Sequence, residues 1–298
     1  MPALVWGPLG ETDLAGLQRL ARACLRQDGG LPHLATEGML RSRFLTARST
    51  GARDELGELV AAAAVGDAAD DGSVTTSGLV HPSFRGAGLG NQLMAWATEQ
   101  AEGATLRVAT ESLTPEAEAL YAAHGLMQTF AETVMRHDLS SIPRCPLPGG
   151  LRTVAFGEES AAAFHAAYVA SFADRPGFPA PSAEEWLGYL TEDGEFRPEL
   201  SRVALDGAGV PAGFITISDN WVDQVGVVPQ WRGRGLGAHL TASSLTAIAG
   251  AGAEEAWLTV NTDNPGARRV YERLGFTEHG VRARYATPDA NRVRAAQD

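Results

Sequence analysis

Apolar positions in the second half of the chain recur first at helical spacing and then at the period of strands. From Ala161 to Ser171 they place Phe164, Tyr168 and Phe172 on one helical face, and Asp174 to Pro181, with three prolines and a glycine, reads as a loop. Ser182 with Glu185 three residues on is a capping box, which predicts a second helix through Trp186 and Leu190. Arg202 to Leu205 and Ala212 to Ile217 flank Asp206-Gly207 as a β-hairpin, and Trp221 to Val228 is an apolar strand. Ala238 to Ile248 predicts a helix ended at Gly250 and Glu255 to Val260 a strand. Pro265 to Leu274 is a helix with proline in its first turn and Gly275 just past its end, and Phe276 to Tyr285 is a final strand. The order α-α-β-β-β-α-β-α-β predicts an α/β (α+β) fold with a mixed sheet and helices on its faces.

This half repeats the first. Val80-His-Pro-Ser-Phe-Arg85-Gly-Ala-Gly88-Leu-Gly90 recurs as Val227-Val-Pro-Gln-Trp-Arg232-Gly-Arg-Gly235-Leu-Gly237, 147 residues later. Pro115, Tyr121 and Gly125 recur as Pro265, Tyr271 and Gly275 at an offset of 150, a difference that a three-residue loop insertion absorbs. The reading is two homologous lobes, residues 1–139 and 151–298. The proline-rich segment 140–150, where three prolines and two glycines stop regular structure, links them.

Composition narrows the partners. With 44% hydrophobic and 20% charged residues in 298, the chain can bury full cores. The net charge of −12 disfavours nucleic acid and anionic membrane, and no apolar run is long enough to span a bilayer. All 24 cations are arginine, a feature of codon usage from which no function follows. Cys24 and Cys145 form no C-x-x-C pair or histidine cluster, so neither a disulfide framework nor a metal site is expected, and a reducing cytoplasmic setting fits. The N-terminal stretch lacks the basic and apolar regions of an export signal.

Candidate chemistry centres on the two glycine turns. A strand, then Arg-x-x-Gly-x-Gly, then a helix aims successive backbone N–H groups at a point where the helix dipole also favours negative charge. That arrangement is a pyrophosphate cradle. Gly235 and Gly237 remove side chains from the approach, and Arg232 and Arg234 add cationic reach. A P-loop is excluded because the chain has no lysine, and a dinucleotide-binding fold because two helices and a hairpin precede the strand.

In these residues both lobes resemble the GNAT family of acetyl-CoA-dependent N-acetyltransferases. In the second lobe Val225 to Pro229, Arg232 to Gly237, Asn261 to Ala267 and Val270 to Phe276 match the family's central strand, phosphate turn and late helix, covering nearly the whole lobe. The resemblance implies tandem GNAT domains with acetyl-CoA as co-substrate. The pantetheine arm would lie along Val225, Gly226 and Val227, and the pyrophosphate on Arg232, Gly233, Arg234, Gly235, Leu236, Gly237 and Ala238, with Asn264 reaching the cofactor by its side chain. Tyr271 falls where the family places a tyrosine near the thioester sulfur. In the first lobe the corresponding cradle is Val80, Arg85, Gly86, Ala87, Gly88, Leu89 and Gly90. The tandem layout is similar to the subgroup containing mycothiol synthase, which carries a glutamate where this chain has Trp221.

Acetyl transfer to an amine needs a base for the ammonium, whose ordinary pKa is about 10, and an acid for the leaving thiolate. Asp219, Trp221 and Asp223 share one face of the central strand, and Asp223, nearer the turn, is the preferred base. A rim aspartate paired with an arginine is the structural alternative for Asp223, and a core aromatic is the alternative for Tyr271, the candidate acid. In the first lobe Asp223 becomes Thr76, Trp221 becomes Val74 and Asn264 becomes Thr114, so that lobe, which retains Tyr121, is expected to be catalytically degenerate. His81 and His124, close to its motifs, read as packing or surface residues. Asp174, Glu184, Glu185, Asp193 and Glu195 make the acceptor side of the second lobe acidic, which favours a small cationic amine or simply a solvated surface. Two classes stay open: an N-acetyltransferase working from its second lobe on the primary amine of a small molecule or, second to that, of a protein or peptide, mycothiol synthase-like among the possibilities, and a non-catalytic acyl-CoA-binding or regulatory module.

Overall fold

The computed structural model describes residues 3–288 apart from 47, 176 and 193. In chain order the elements are β1 (Val5–Gly7), α1 (Leu14–Asp28), α2 (Glu37–Phe44), β2 (Arg48–Arg53), β3 (Leu59–Val65), β4 (Val74–Val80), α3 (Leu89–Gln100), β5 (Leu106–Thr110), α4 (Pro115–Ala123) and β6 (Met127–His137). There follow β7 (Arg152–Ala155), α5 (Glu158–Phe172), α6 (Ala183–Thr191), β8 (Arg202–Leu205), β9 (Pro211–Ser218), β10 (Trp221–Val227), α7 (Leu236–Gly250), β11 (Ala256–Asn261), α8 (Pro265–Arg273) and β12 (Thr277–Ala286). The helices and strands expected from Ala161 onward are all present. Strand β7, whose residues are half-buried or exposed, is the element of that half that the hydrophobic pattern does not announce.

The chain forms two compact units, and they are cut at different places from the sequence repeat. Unit 1 is residues 1–134 with 279–298, and unit 2 is 135–278. Each contains the closing stretch of a strand that began in the other repeat. In unit 1, Ala283 to Ala286 of β12 pair antiparallel with Thr110 to Arg107 of β5. In unit 2, Met135 joins the core, and the His137 imidazole lies 2.9 Å from the Leu274 carbonyl while its other nitrogen accepts from the Leu139 amide at 2.8 Å. The proline-rich segment is also part of unit 2: Ile142, Cys145 and Leu147 pack on its core, and His239 Nδ1 lies 2.7 Å from the Cys145 carbonyl.

Unit 1 orders its strands β1-β2-β3-β4-β5-β12-β6. Strand β3, Leu-Val-Ala-Ala-Ala-Ala-Val, is buried throughout because helices cover both of its faces. Ala62 and Ala64 pack with α1 and α2, while Ala61 and Ala63 pack beneath Leu89 and Leu93 of α3. Unit 2 repeats the plan with β11-β10-β9-β8-β7, where Ile215 and Ile217 lie in the core with α7 and Phe214 in the one with α5 and α6.

The feature that makes a site is the same in both units. Strands β4 and β5 run parallel in register only from Val74/Leu106 to Thr76/Val108, and β10 and β11 only at Trp221/Trp257 and Val222/Leu258. Beyond those pairs the strands part, leaving a wedge with a glycine turn at its mouth.

Candidate active site

Each wedge is capped by the predicted turn. Gly86 and Gly88 of unit 1 have φ of 75° and 83°, and Gly233 and Gly235 of unit 2 have φ of 74° and 87°. These left-handed conformations suit glycine and let the turn swing directly into α3 or α7, with Gly88 and Gly235 as their N-caps. A Cβ at any of the four would meet nothing within 4 Å, so the space in front of the amides is open. Backbone donors at a helix start facing open space fit a pyrophosphate.

The first arginine of each turn is engaged within its own unit. Arg232 donates from both terminal nitrogens to Asp174, from Nε to the Val227 carbonyl at 3.1 Å and from Nη2 to the Ser171 carbonyl at 2.9 Å. Arg85 repeats the pattern with Asp28 at 2.8 and 2.5 Å and the Val80 carbonyl at 3.3 Å. Both guanidinium groups are therefore latches that tie the end of the unit's first helix to the central strand. The cationic reach expected of Arg232 is spent on a carboxylate, while Arg234 lies over the Trp231 ring at 5.0 Å on an exposed edge. Gly226, expected along the pantetheine arm, is required for packing as well: a Cβ there would come within 2.6 Å of Phe214 and Ser171.

Asn264 and Thr114 also have a local task. Each is the N-cap of the late helix, accepting from Ala267 N and Ala117 N at 3.1 Å, so only the amide nitrogen of Asn264 is left to approach a cofactor. His81 caps a turn by accepting from Ser83 N at 3.2 Å, and His124 meets Asn91 at 3.1 Å, which accords with packing or surface roles.

In unit 2 the register of β10 shifts between Val222 and Gln224, which places Asp223 on a bulge. Its carboxylate is exposed and accepts from Thr216 Oγ1 at 3.1 Å, and the same hydroxyl accepts from Gln224 N at 3.1 Å. Gln224 Oε1 in turn accepts from Trp186 Nε1 of α6 at 3.1 Å. Trp221 stacks on Trp257 with ring centres 5.7 Å apart, a packing role. Asp219, the runner-up base, sits at the tight turn before β10 with φ of 48°. Tyr271 is 8% exposed, packs edge-on to Phe276, and has its phenol pushed up to about 12 by burial, against a smaller lowering by Arg175. Among the described residues its hydroxyl has no protein hydrogen-bond partner.

Unit 1 holds a cavity of about 410 Å³ in its wedge, lined by Gly78 and Val80 of β4, Val108 and Thr110 of β5, the start of α3 and Tyr121. Burial pushes the Tyr121 phenol up to about 12, with Thr110 offsetting part of this, and burial raises the Cys24 thiol at the cavity wall to about 11. Thr76, the counterpart of Asp223, is buried and donates to the Ala64 carbonyl at 2.9 Å. The stretch after α1 is closed by main-chain bonds, Gly30 N to His279 O at 3.0 Å and Leu31 N to Glu111 O at 2.7 Å. Sequence reasoning missed this closure and the paired latches, because both join residues far apart in the chain. Of the acidic residues expected around the acceptor, Asp193 lies outside the described residues. Among those described, no group of three or more His, Cys, Asp or Glu is placed to hold a metal, and no helix is long and apolar enough to cross a membrane.

Comparison with known proteins agrees with this geometry. Residues 164–276 match the model of the acetyltransferase (GNAT) family, and residues 42–125 that of an acetyltransferase (GNAT) domain. A mycothiol acetyltransferase of Thermobispora bispora is 32% identical over 228 residues, 70% of this chain and 74% of that protein. One from Thermomonospora curvata is 29% identical over 287 residues, 94% and 95% of the two chains. Among solved structures, a GCN5-related N-acetyltransferase from Sphaerobacter thermophilus covers 95% of both chains with a TM-score of 0.75 and 25% identity. A tandem GNAT protein from the clavulanic acid biosynthesis pathway covers 95% of this chain and 98% of its own with a TM-score of 0.62 and 20% identity, a likeness of fold. Two glycine turns, two wedges and two matching domains thus make this chain a tandem member of the GNAT acetyltransferase family, and an acetyltransferase.

Proposed function

We propose that the chain transfers the acetyl group of acetyl-CoA to the primary amine of a small molecule in unit 2, and that unit 1 holds acetyl-CoA without turning it over. The observation that carries this reading is the bulge at Asp223. It leaves a carboxylate exposed on the α5–α6 side of the wedge, whereas unit 1 has a threonine already bonded to the main chain at the same position. The chain-like mycothiol acetyltransferases support a small-molecule acceptor.

Residues of unit 2 divide the work as follows. The amides of 233–238 take the pyrophosphate, the main chain of Val225 and Val227 pairs with the pantetheine arm, and the Asn264 amide nitrogen donates to it. Asp223 accepts the ammonium proton, directly or through water, and the neutral amine attacks the thioester carbonyl. As the carbon–sulfur bond breaks, Tyr271 donates its proton to the leaving thiolate and the nitrogen's second proton passes through water to the tyrosinate; a phenol raised to about 12 remains protonated through the neutral range. In unit 1 the cavity and the amides of 86–90 suit the same cofactor, but main-chain bonds pin the segment after α1 to His279 and Glu111, which narrows the approach for an acceptor. That closure favours a binding role for unit 1 over a second centre.

The test is release of free thiol from acetyl-CoA across a panel of primary amines, with acetyl-CoA binding followed by calorimetry. Thiol release with at least one amine supports the transferase reading. Binding with no release on any amine would replace it by a non-catalytic acyl-CoA-binding module.

A further inference from the structure

The loop after α5 carries a cation that nothing in the transfer step uses. Arg175 is exposed, makes no ion pair among the described residues, and stacks its guanidinium 4.2 Å above the Phe172 ring. Its amide donates to the Phe172 carbonyl at 2.9 Å and its carbonyl accepts from Phe178 N at 3.2 Å, so the turn is hydrogen-bonded on both sides. The neighbouring latch from Asp174 to Arg232 fixes this turn against β10. The guanidinium is thus held in place with its donors unclaimed.

Around it stands an aromatic wall that is only partly covered. Tyr168 stacks on Trp186 at 5.2 Å and meets Phe178 and Phe172 edge-on at 5.3 Å each, and Tyr189 on α6 is 64% exposed. Trp186 and Phe214 are core, but Tyr168, Phe172, Phe178 and Tyr189 leave ring surface open. The charges of Arg175 and Asp223 both act on the Tyr168 phenol, and Arg175 acts on Tyr271 as well, so the cation, the carboxylate and the two phenols share one neighbourhood.

We propose that Arg175 is a specificity residue that binds a carboxylate on the acceptor, and that the acceptor is an amino acid-like molecule with an apolar or aromatic body. This rests on the transferase reading above and names its substrate class. The ammonium end faces Asp223, the carboxylate takes the guanidinium fork of Arg175, and the body lies on the rings of Tyr168, Phe178 and Tyr189. A polyhydroxylated acceptor would find few hydrogen-bonding groups on such a wall. A doubly charged phosphate is disfavoured, since the one cation stands beside the carboxylate of Asp174. In the transfer, the amine nitrogen bonds to the acetyl carbon as the carbon–sulfur bond breaks. The ammonium has by then given one proton to Asp223, and its second passes through water to the tyrosinate left when Tyr271 protonates the thiolate, giving the N-acetyl amino acid and CoA thiol. Unit 1 has no equivalent: the residue after its latch aspartate is Gly29, packed so closely on His279 that a Cβ there would lie 1.5 Å from its carbonyl oxygen.

The experiment measures thiol release by the full-length protein with two matched pairs, phenylalanine against 2-phenylethylamine and 4-(aminomethyl)benzoate against benzylamine. In at least one pair the carboxylate-bearing amine is expected to have kcat/KM about 10- to 100-fold higher, the range of one charge-assisted pair. Arg175→Gln should erase that preference by raising KM for the carboxylate-bearing member, with kcat and the rate on its partner amine nearly unchanged. Arg175→Lys should restore part of it, as a point charge without the fork. Equal rates within both pairs, or a preference untouched by Arg175→Gln, would overturn the assignment while leaving acetyl transfer intact. No thiol release from any of these or from a wider amine panel would overturn the transferase reading and this assignment with it.

Discussion

Tyr285 belongs to the second sequence repeat, yet its side chain is built into unit 1, so removing it should weaken the first repeat's core. The ring is 3% exposed, packs against Tyr121 with centres 4.9 Å apart, and donates from its hydroxyl to Gln128 Oε1 at 3.1 Å. Aromatic-to-alanine changes at such positions cost about 3–5 kcal/mol, of which an aromatic pair supplies about 0.5–1.5 and the rest is lost burial and cavity. For a unit of roughly 150 residues, each kcal/mol lowers Tm by about 2–4 °C, so Tyr285→Ala should melt unit 1 about 6–20 °C earlier. Hydrogen exchange read by mass spectrometry gives the location. Protection should fall in β5 and α4, peptides Leu106–Thr110 and Pro115–Ala123, more than 150 residues from the substitution in sequence. Loss confined to β9 and β10, or an unchanged melting profile, would refute the assignment of the chain's end to unit 1.

Other expectations concern chemistry and charge. Tyr271→Phe and Asp223→Asn should each lower kcat about 100- to 10,000-fold in a thiol-release assay while acetyl-CoA affinity by calorimetry stays nearly constant; losses below about tenfold would move the roles elsewhere. The buried phenols of Tyr121 and Tyr271 lie at about 12 when folded against about 10 unfolded. Their contribution to stability is therefore intact below pH 10 and lost as pH rises toward 12, about 1 kcal/mol per tyrosine by pH 11; equal denaturant midpoints at pH 9 and 11 would contradict this. Arg85→Ala strands Asp28, which is 9% exposed at its side chain, and should cost about 2 kcal/mol. Arg232→Ala strands the exposed Asp174 and should cost under about 1 kcal/mol, and the reverse order of midpoints would show that the latches are mis-weighed.

The reach of the sequence follows from what kind of signal each feature leaves in it. The helices of unit 2 announce themselves through spacing and caps: Ser182 with Glu185 forms the expected capping box, and Pro265 and Gly275 bracket α8. The glycine turns could be placed because their conformation demands glycine at fixed offsets. By contrast, alternation in Phe276 to Tyr285 states that a strand has a buried face but not which neighbour accepts it, so its end in unit 1 was invisible. Short edge strands such as β7 bury too little to leave a pattern. The Arg232–Asp174 and Arg85–Asp28 latches span 58 and 57 residues, distances over which periodicity carries no information. Nor does a sequence reveal that a bulge will turn Asp223 outward, or that Gly29 and Gly30 will be sealed by His279 and Glu111.

On the proposed reading, acetyl transfer occurs in unit 2 and not in the cavity of unit 1. Gly235→Val tests it most directly, because φ at this position is 87° and a β-branched residue there distorts the cradle of unit 2 alone. With the best amine of the panel, the variant should lose thiol release by at least about 100-fold while still binding one acetyl-CoA per chain in unit 1. Undiminished release by Gly235→Val would place the chemistry in unit 1 and contradict the account.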